Sequence, residues 1–141
     1  MTRKTIASTV SRLLRRSTDV ENYVQVFPSD QNALDIFSEW SSRLPGAWKE
    51  PKAGTVPLFE HARMVWAAEQ LGGFSGQRVI ELGPLEAGHT YMMESLEAES
   101  ILAVEANKRA FLKCLIVKEI LRLNRSRFVL GDFVSSFERT K

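Results

Sequence analysis

Cysteine is nearly absent from this chain: Cys114 stands alone among 141 residues, so no internal disulfide can form and a reducing, intracellular setting is expected. Histidine is almost as scarce. His61 and His89 are the only two, and with Cys114 set in an apolar helical pattern they offer no metal-ligand spacing and no Ser-His-Asp or Cys-His arrangement. No apolar run reaches the length of a membrane span, and no secretory signal core follows Met1. A soluble, cytoplasmic protein with no membrane partner is the expectation.

Acidic residues are missing from the first eighteen positions, which carry Arg3, Lys4, Arg12, Arg15 and Arg16. This Arg- and Ser-rich stretch reads either as a solvated N-terminal helix or as an organelle transit peptide. The remainder holds fourteen bases against seventeen acids, a net charge of −3. Such a body lacks the basic face that nucleic acid requires, so no nucleic-acid partner is expected.

What remains, 44% hydrophobic, is enough for one domain with a buried core. Residues 1–28 form the basic extension, with a weak helical stripe through Ile6, Val10, Leu13 and Leu14 followed by an irregular or strand-like segment. Ser29-Asp30 ahead of Ala33, Ile36, Phe37 and Trp40 predicts an N-capped helix ending near Leu44. Pro45, Gly46, Pro51, Gly54 and Pro57 then mark a loop, long enough for a lid or a linker, that contains Trp48. Its ring either packs on the nearest helix or meets a ligand.

A helix is predicted over 58–71, burying Phe59, Ala62, Val65, Trp66 and Leu71 and stopped by Gly72-Gly73. Beyond it, strands over 78–82, 101–105 and 127–131 alternate with helices over 88–96 and 107–123. Alternation of this kind requires right-handed crossovers and a parallel sheet covered on both faces: a doubly wound α/β domain with spatial strand order 3-2-1. On the second of these helices Phe111, Leu115 and Ile120 are expected inside, with Lys108, Lys113, Lys118 and Arg122 solvated. Met92 and Met93 are expected to fill gaps between helix and sheet.

The turn after the first strand, Glu81-Leu82-Gly83-Pro84-Leu85-Glu86-Ala87-Gly88-His89-Thr90, lies where open α/β sheets bind ligands. As a dinucleotide loop it has Leu85 where a glycine must let the pyrophosphate approach, and Glu81 and Glu86 where phosphates would sit. As a P-loop it has the spacing of residues 83–90 but His89 in place of the lysine. Glu105 ends the second strand 22 residues after Gly83, the separation expected of an acid that binds ribose hydroxyls. The alternative is a solvated acid at a strand end.

The run from Glu81 to Gly88 resembles motif I of the class I S-adenosylmethionine-dependent methyltransferases, an acid followed by alternating glycines, with Leu85 and Ala87 in place of the later glycines. Glu105-Ala106-Asn107 running into a helix, and Gly131-Asp132-Phe133 after the third strand, are similar to two further positions of that family. The resemblance covers about residues 58–138 and implies a Rossmann-like domain that binds S-adenosylmethionine. Its implied cofactor-binding residues are Glu81, Gly83, Leu85, Gly88, His89, Glu105, Ala106, Asp132 and Phe133, with Asp132 on the adenine amino group and Phe133 against the base. No catalytic residue and no metal is assigned. The methyl acceptor implied is a small molecule or a glycan-type group.

The third strand is followed by only a few residues before Lys141. The expectation is therefore the first, cofactor-binding portion of a methyltransferase domain over residues 58–141, inactive alone and prone to self-association through an unpaired edge. A binding or regulatory module without catalysis is the alternative.

Overall fold

The computed structural model describes residues 23–46 and 54–134. The basic N-terminal stripe and Trp48 lie outside the described residues. Strands β1 (Arg78–Leu82), β2 (Ser100–Glu105) and β3 (Ser126–Leu130) form one parallel sheet in the order β1-β2-β3. Val79 pairs with Ile101 and Ile101 with Ser126, so Val79, Ile101, Ala103 and Phe128 share one face. The helices that precede and join the strands are α1 (Asp30–Leu34), α2 (Ala62–Leu71), α3 (Gly88–Ser95) and α4 (Lys108–Leu121).

Both crossover helices lie on that face. Ala103 and Phe128 pack with Cys114, Val117 and Ile120 of α4, and Ile101 packs with Met93 of α3 and with Phe74. Met92 and Met93 are buried, as their helix-to-sheet position predicts. The opposite face is not covered by described residues, which corrects the expectation of helices on both sides: Ile80 is 58% exposed, and Leu82 and Leu102 are also exposed. Two successive right-handed crossovers that move in one direction along a sheet place their helices on the same side.

The helix predicted over 29–44 is a single short one. Ser29 caps α1 by accepting the Asn32 N–H, but the helix stops after Leu34. Beyond it the chain is drawn off by non-helical partners, one near in sequence and one distant. The Trp40 indole N–H donates to the Leu34 carbonyl at 2.8 Å, and the Ser41 and Ser42 amides donate to the Glu86 carboxylate. Amides engaged there cannot close helical rings. Ser42 also bridges Val56, joining the two ends of the Pro/Gly-rich loop. Gly54 is required at this crossing, since a Cβ there would lie 2.3 Å from the Ser41 backbone.

The helix predicted over 58–71 begins as a 3-10 turn, Leu58–Glu60, and breaks at extended His61 before α2 starts. This break changes the helical phase. Phe59 is buried as expected, but Ala62, Val65, Trp66 and Leu71 are exposed, Trp66 by 63%, and Met64 and Ala68 pack inward.

Helix α4 likewise differs in its buried arc. Ala110, Lys113, Cys114, Val117 and Ile120 are buried, Phe111 is half-buried and Leu115 is exposed. Lys113, expected in solvent, is therefore a core residue.

Candidate functional site

At the carboxyl ends of the strands, three turns converge. Gly83 N–H donates to the Val104 carbonyl and Gly131 N–H to the Glu105 carbonyl, so the first and third turns both leave their strands still bonded to β2. The first turn runs through residues 83–88 with three left-handed residues at alternate positions: Gly83 (φ 71°), Leu85 (φ 55°) and Ala87 (φ 60°). Leucine and alanine thus adopt the conformation that glycine accepts freely, at a strain of roughly 1 to 2 kcal/mol each. The alternating-glycine path survives without two of its glycines. Gly88 is needed for another reason, because a Cβ there would lie 2.9 Å from the Leu58 backbone.

Several bonds hold this strained path. Leu85 N–H donates to Glu105 Oε2 at 3.1 Å, Ala87 N–H donates to the Pro84 carbonyl, and the Cys114 thiol donates to the Leu85 carbonyl at 3.4 Å. The thiol is an inert donor. Burial, then repulsion from Glu105 and Glu81, pushes its pKa up to about 12. Replacing half-exposed Leu85 with glycine should stabilise the protein by about 1 kcal/mol, whereas Leu85→Ala should not, as chemical denaturation of the two variants will test.

The sequence-predicted residues divide into two groups. Glu81, Gly83, Leu85, Gly88, Glu105 and Ala106 gather at the tips of β1 and β2, with Asp132 and half-exposed Phe133 following the tip of β3. Glu105 is buried, and its two oxygens accept the Leu85 and Asn107 amides at 3.1 and 2.8 Å. Each oxygen keeps a second lone pair for a ligand hydroxyl. Asp132 Oδ1 accepts the Val134 N–H at 3.2 Å. His89 belongs to the first turn of α3, but its ring stacks on His61 with centroids 5.1 Å apart. Burial, then His61 and Arg63, depress its pKa and favour the neutral ring.

Glu81 is the electrostatically unsettled member. Burial raises its pKa to about 6, against a hydrogen bond from the Thr90 hydroxyl, and repulsion from Glu105 adds to the rise. A folded-state value above the ordinary one of 4.5 means that the folded protein is favoured by protonation: this contribution is complete below about pH 4.5 and lost as pH rises through 6. Glu81→Gln should therefore stabilise the unliganded protein by about 1 to 2 kcal/mol at neutral pH and by nothing measurable at acid pH. Thermal melts across that range check both limits.

Glu86, expected beside the ligand, is placed elsewhere. It is 1% exposed and turned inward, 2.7 Å from Lys113 Nζ and accepting the Ser41 and Ser42 amides at 3.1 and 2.7 Å. Burial alone would raise its carboxyl. Lys113 and the two amides outweigh that and hold it below the usual carboxylate range. Repulsion of a phosphate at this turn thus comes from Glu81 and Glu105, while the nearby lysine is committed to Glu86. Reading by residue class missed Lys113, yet its spacing signals it: it falls three residues after Ala110 and four before Val117, on the buried arc. Thr90, fully buried against Glu81, and Asn107, which caps α4 by accepting the Arg109 and Ala110 amides, were also missed.

A shallow cleft of about 330 Å³ lined by Glu94, Asn124 and Arg125 lies at the other end of the strands, away from the three turns.

The architecture has solved counterparts. The N-terminal domain of EvdMO1, crystallised in the presence of SAH and D-fucose, superposes with a TM-score of 0.60 at 20% identity over 72% of this chain and 43% of that one. The fold is the Rossmann-like α/β fold of that domain, present here as three parallel strands with flanking helices. Intact EvdMO1 gives a TM-score of 0.57 at 20% identity, over 72% of this chain and 23% of that one. The chain thus spans less than half the length of the solved domain it matches. No family model and no curated protein sequence matches it.

Proposed function

We propose that this chain is the cofactor-binding portion of an S-adenosylmethionine-dependent methyltransferase. The observation that carries the reading is the proximity of Glu81 and Glu105 near the tips of adjacent strands, beside a turn whose neighbouring Lys113 is already neutralised by Glu86. Such a crevice repels phosphates and suits a nucleoside that bears cationic groups. S-adenosylmethionine is that nucleoside, with a ribose, a sulfonium and an ammonium. Support also comes from the SAH described with the EvdMO1 domain of the same fold.

In this reading Glu105 accepts the ribose hydroxyls, Glu81 faces the cationic amino-acid end, and Gly83, Leu85 and Gly88 shape the turn around it. Ala106, Asp132 and Phe133 border the adenine. His89 supports the helix start through His61. The cofactor supplies an activated methyl group, which leaves its sulfonium for a lone pair of the acceptor. The chain's residues hold and orient it. The acceptor is proposed to be a small molecule or a glycan-type group, the latter in keeping with the D-fucose described with the EvdMO1 domain.

A thermal-shift panel tests the assignment. S-adenosylhomocysteine should raise the melting temperature, and NAD and ATP with magnesium should leave it unchanged. The reverse pattern would favour a phosphate-binding loop. Because a cationic ligand favours ionised Glu81, affinity should rise about tenfold between about pH 5 and about pH 7, a dependence that Glu81→Gln should abolish.

A further inference from the structure

The turn keeps its left-handed path at Leu85 and Ala87, and the residue between them is Glu86. Three separate parts of the chain meet on that one carboxylate. Its own turn supplies it, Lys113 of α4 donates to it at 2.7 Å, and Ser41 and Ser42 donate their amides. Lys113 also donates to the Glu39 carbonyl and lies 5.0 Å from the centre of the Trp40 ring. Residues 39–42 are thereby strapped across the turn and the first half of α4.

We propose that Glu86 and Lys113 are positioning residues for the cofactor site: as a latch they fasten residues 39–42 to the turn and hold Leu85 and Ala87 in the conformation that glycines would otherwise supply. This deepens the reading of the turn as a cofactor loop and rests on it. The chemistry of the pair favours positioning over bulk stability. A buried ion pair contributes little beyond what a well-packed apolar pair would. An apolar pair, however, could not accept two successive backbone amides, nor fix the direction of the peptide between two left-handed residues. Leu85 links the latch to the site directly, since its N–H ends on Glu105, the acid proposed to hold the ribose.

The test compares the wild-type chain with Glu86→Gln and with the charge-neutral double variant Glu86→Gln/Lys113→Met. Amide hydrogen exchange is followed at Ser41, Ser42 and Leu85, and S-adenosylhomocysteine affinity is measured by calorimetry at temperatures where circular dichroism shows the protein folded. Loss of the latch should speed exchange about tenfold or more at all three amides together and weaken affinity about tenfold. The double variant should regain much of its melting temperature, with no charge left unpaired, while its affinity stays low. If Glu86→Gln does not fold, the double variant carries the same comparison. Faster exchange at Ser41 and Ser42 with Leu85 unchanged, or wild-type affinity in a folded variant, would overturn the proposal. If the wild type itself fails to bind S-adenosylhomocysteine, the cofactor reading falls, and the joint or separate response of the three amides still decides the latch.

Discussion

Lys113→Ala should destabilise the protein by about 3 to 5 kcal/mol, the effect of removing one partner from a buried ion pair. Lys113 is 8% exposed and its partner Glu86 1%, so truncation leaves a carboxylate in the core with only two backbone amides to stabilise it. Loss of the aliphatic stem beside Trp40 adds a cavity term. Against a total stability of about 5 to 15 kcal/mol for a domain, this is a large share. Urea denaturation of Lys113→Ala beside Lys108→Ala, an exposed lysine on the same helix, separates burial from charge. Equal midpoints for the two variants would place Lys113 in solvent.

Glu105→Ala should weaken binding of S-adenosylhomocysteine by about 1.5 to 3 kcal/mol, roughly ten- to hundredfold, if Glu105 takes the ribose hydroxyls as proposed. The same substitution removes the acceptor of the Leu85 and Asn107 amides, so the turn and the start of α4 should loosen together. Glu105→Gln keeps an acceptor oxygen and the side-chain shape, and its loss should be the smaller. It also removes the repulsion that helps to raise Glu81, whose titration should then move below 6. Carboxyl titration by NMR reads that shift independently of ligand. An affinity unchanged by Glu105→Ala would reduce Glu105 to a brace for the turn.

How much of this was legible in the sequence depended on where each segment finds its hydrogen bonds. Strands 78–82, 101–105 and 127–131 agree with β1, β2 and β3 to within one residue at each end, and the two crossover helices agree to within two. Buried parallel strands are short apolar runs closed by glycine or an acid, and the ladder that pairs them is local to the pattern. The segment after Ser29 failed for the opposite reason. Phe37 and Trp40 have helical spacing, and both are half-buried, but the backbone just beyond them, at Ser41 and Ser42, is held by Glu86, more than forty residues downstream. No periodicity encodes that bond.

The turn itself was half legible. Its place follows from Gly83 and the resemblance, whereas its left-handed path through Leu85 and Ala87, and the separate roles of Glu81 and Glu86, could not be read from residue type. One carboxylate is held ionised by a lysine and the other is raised toward neutrality by burial. Only the three-dimensional arrangement tells which acid has the cation. Lys113 misled because lysines are usually solvated, although its helical phase placed it inside.

The proposed function rests on two acids near adjacent strand tips forming a site for a cationic nucleoside. Calorimetric titration of the chain with S-adenosylmethionine, and with S-adenosylhomocysteine, which lacks the sulfonium charge, at neutral pH, repeated with Glu105→Ala and with ATP and magnesium, tests it. Saturable binding by the wild type, binding at least tenfold weaker in the variant, and no heat from ATP are expected. Binding of ATP with magnesium, together with no binding of S-adenosylhomocysteine, would contradict it.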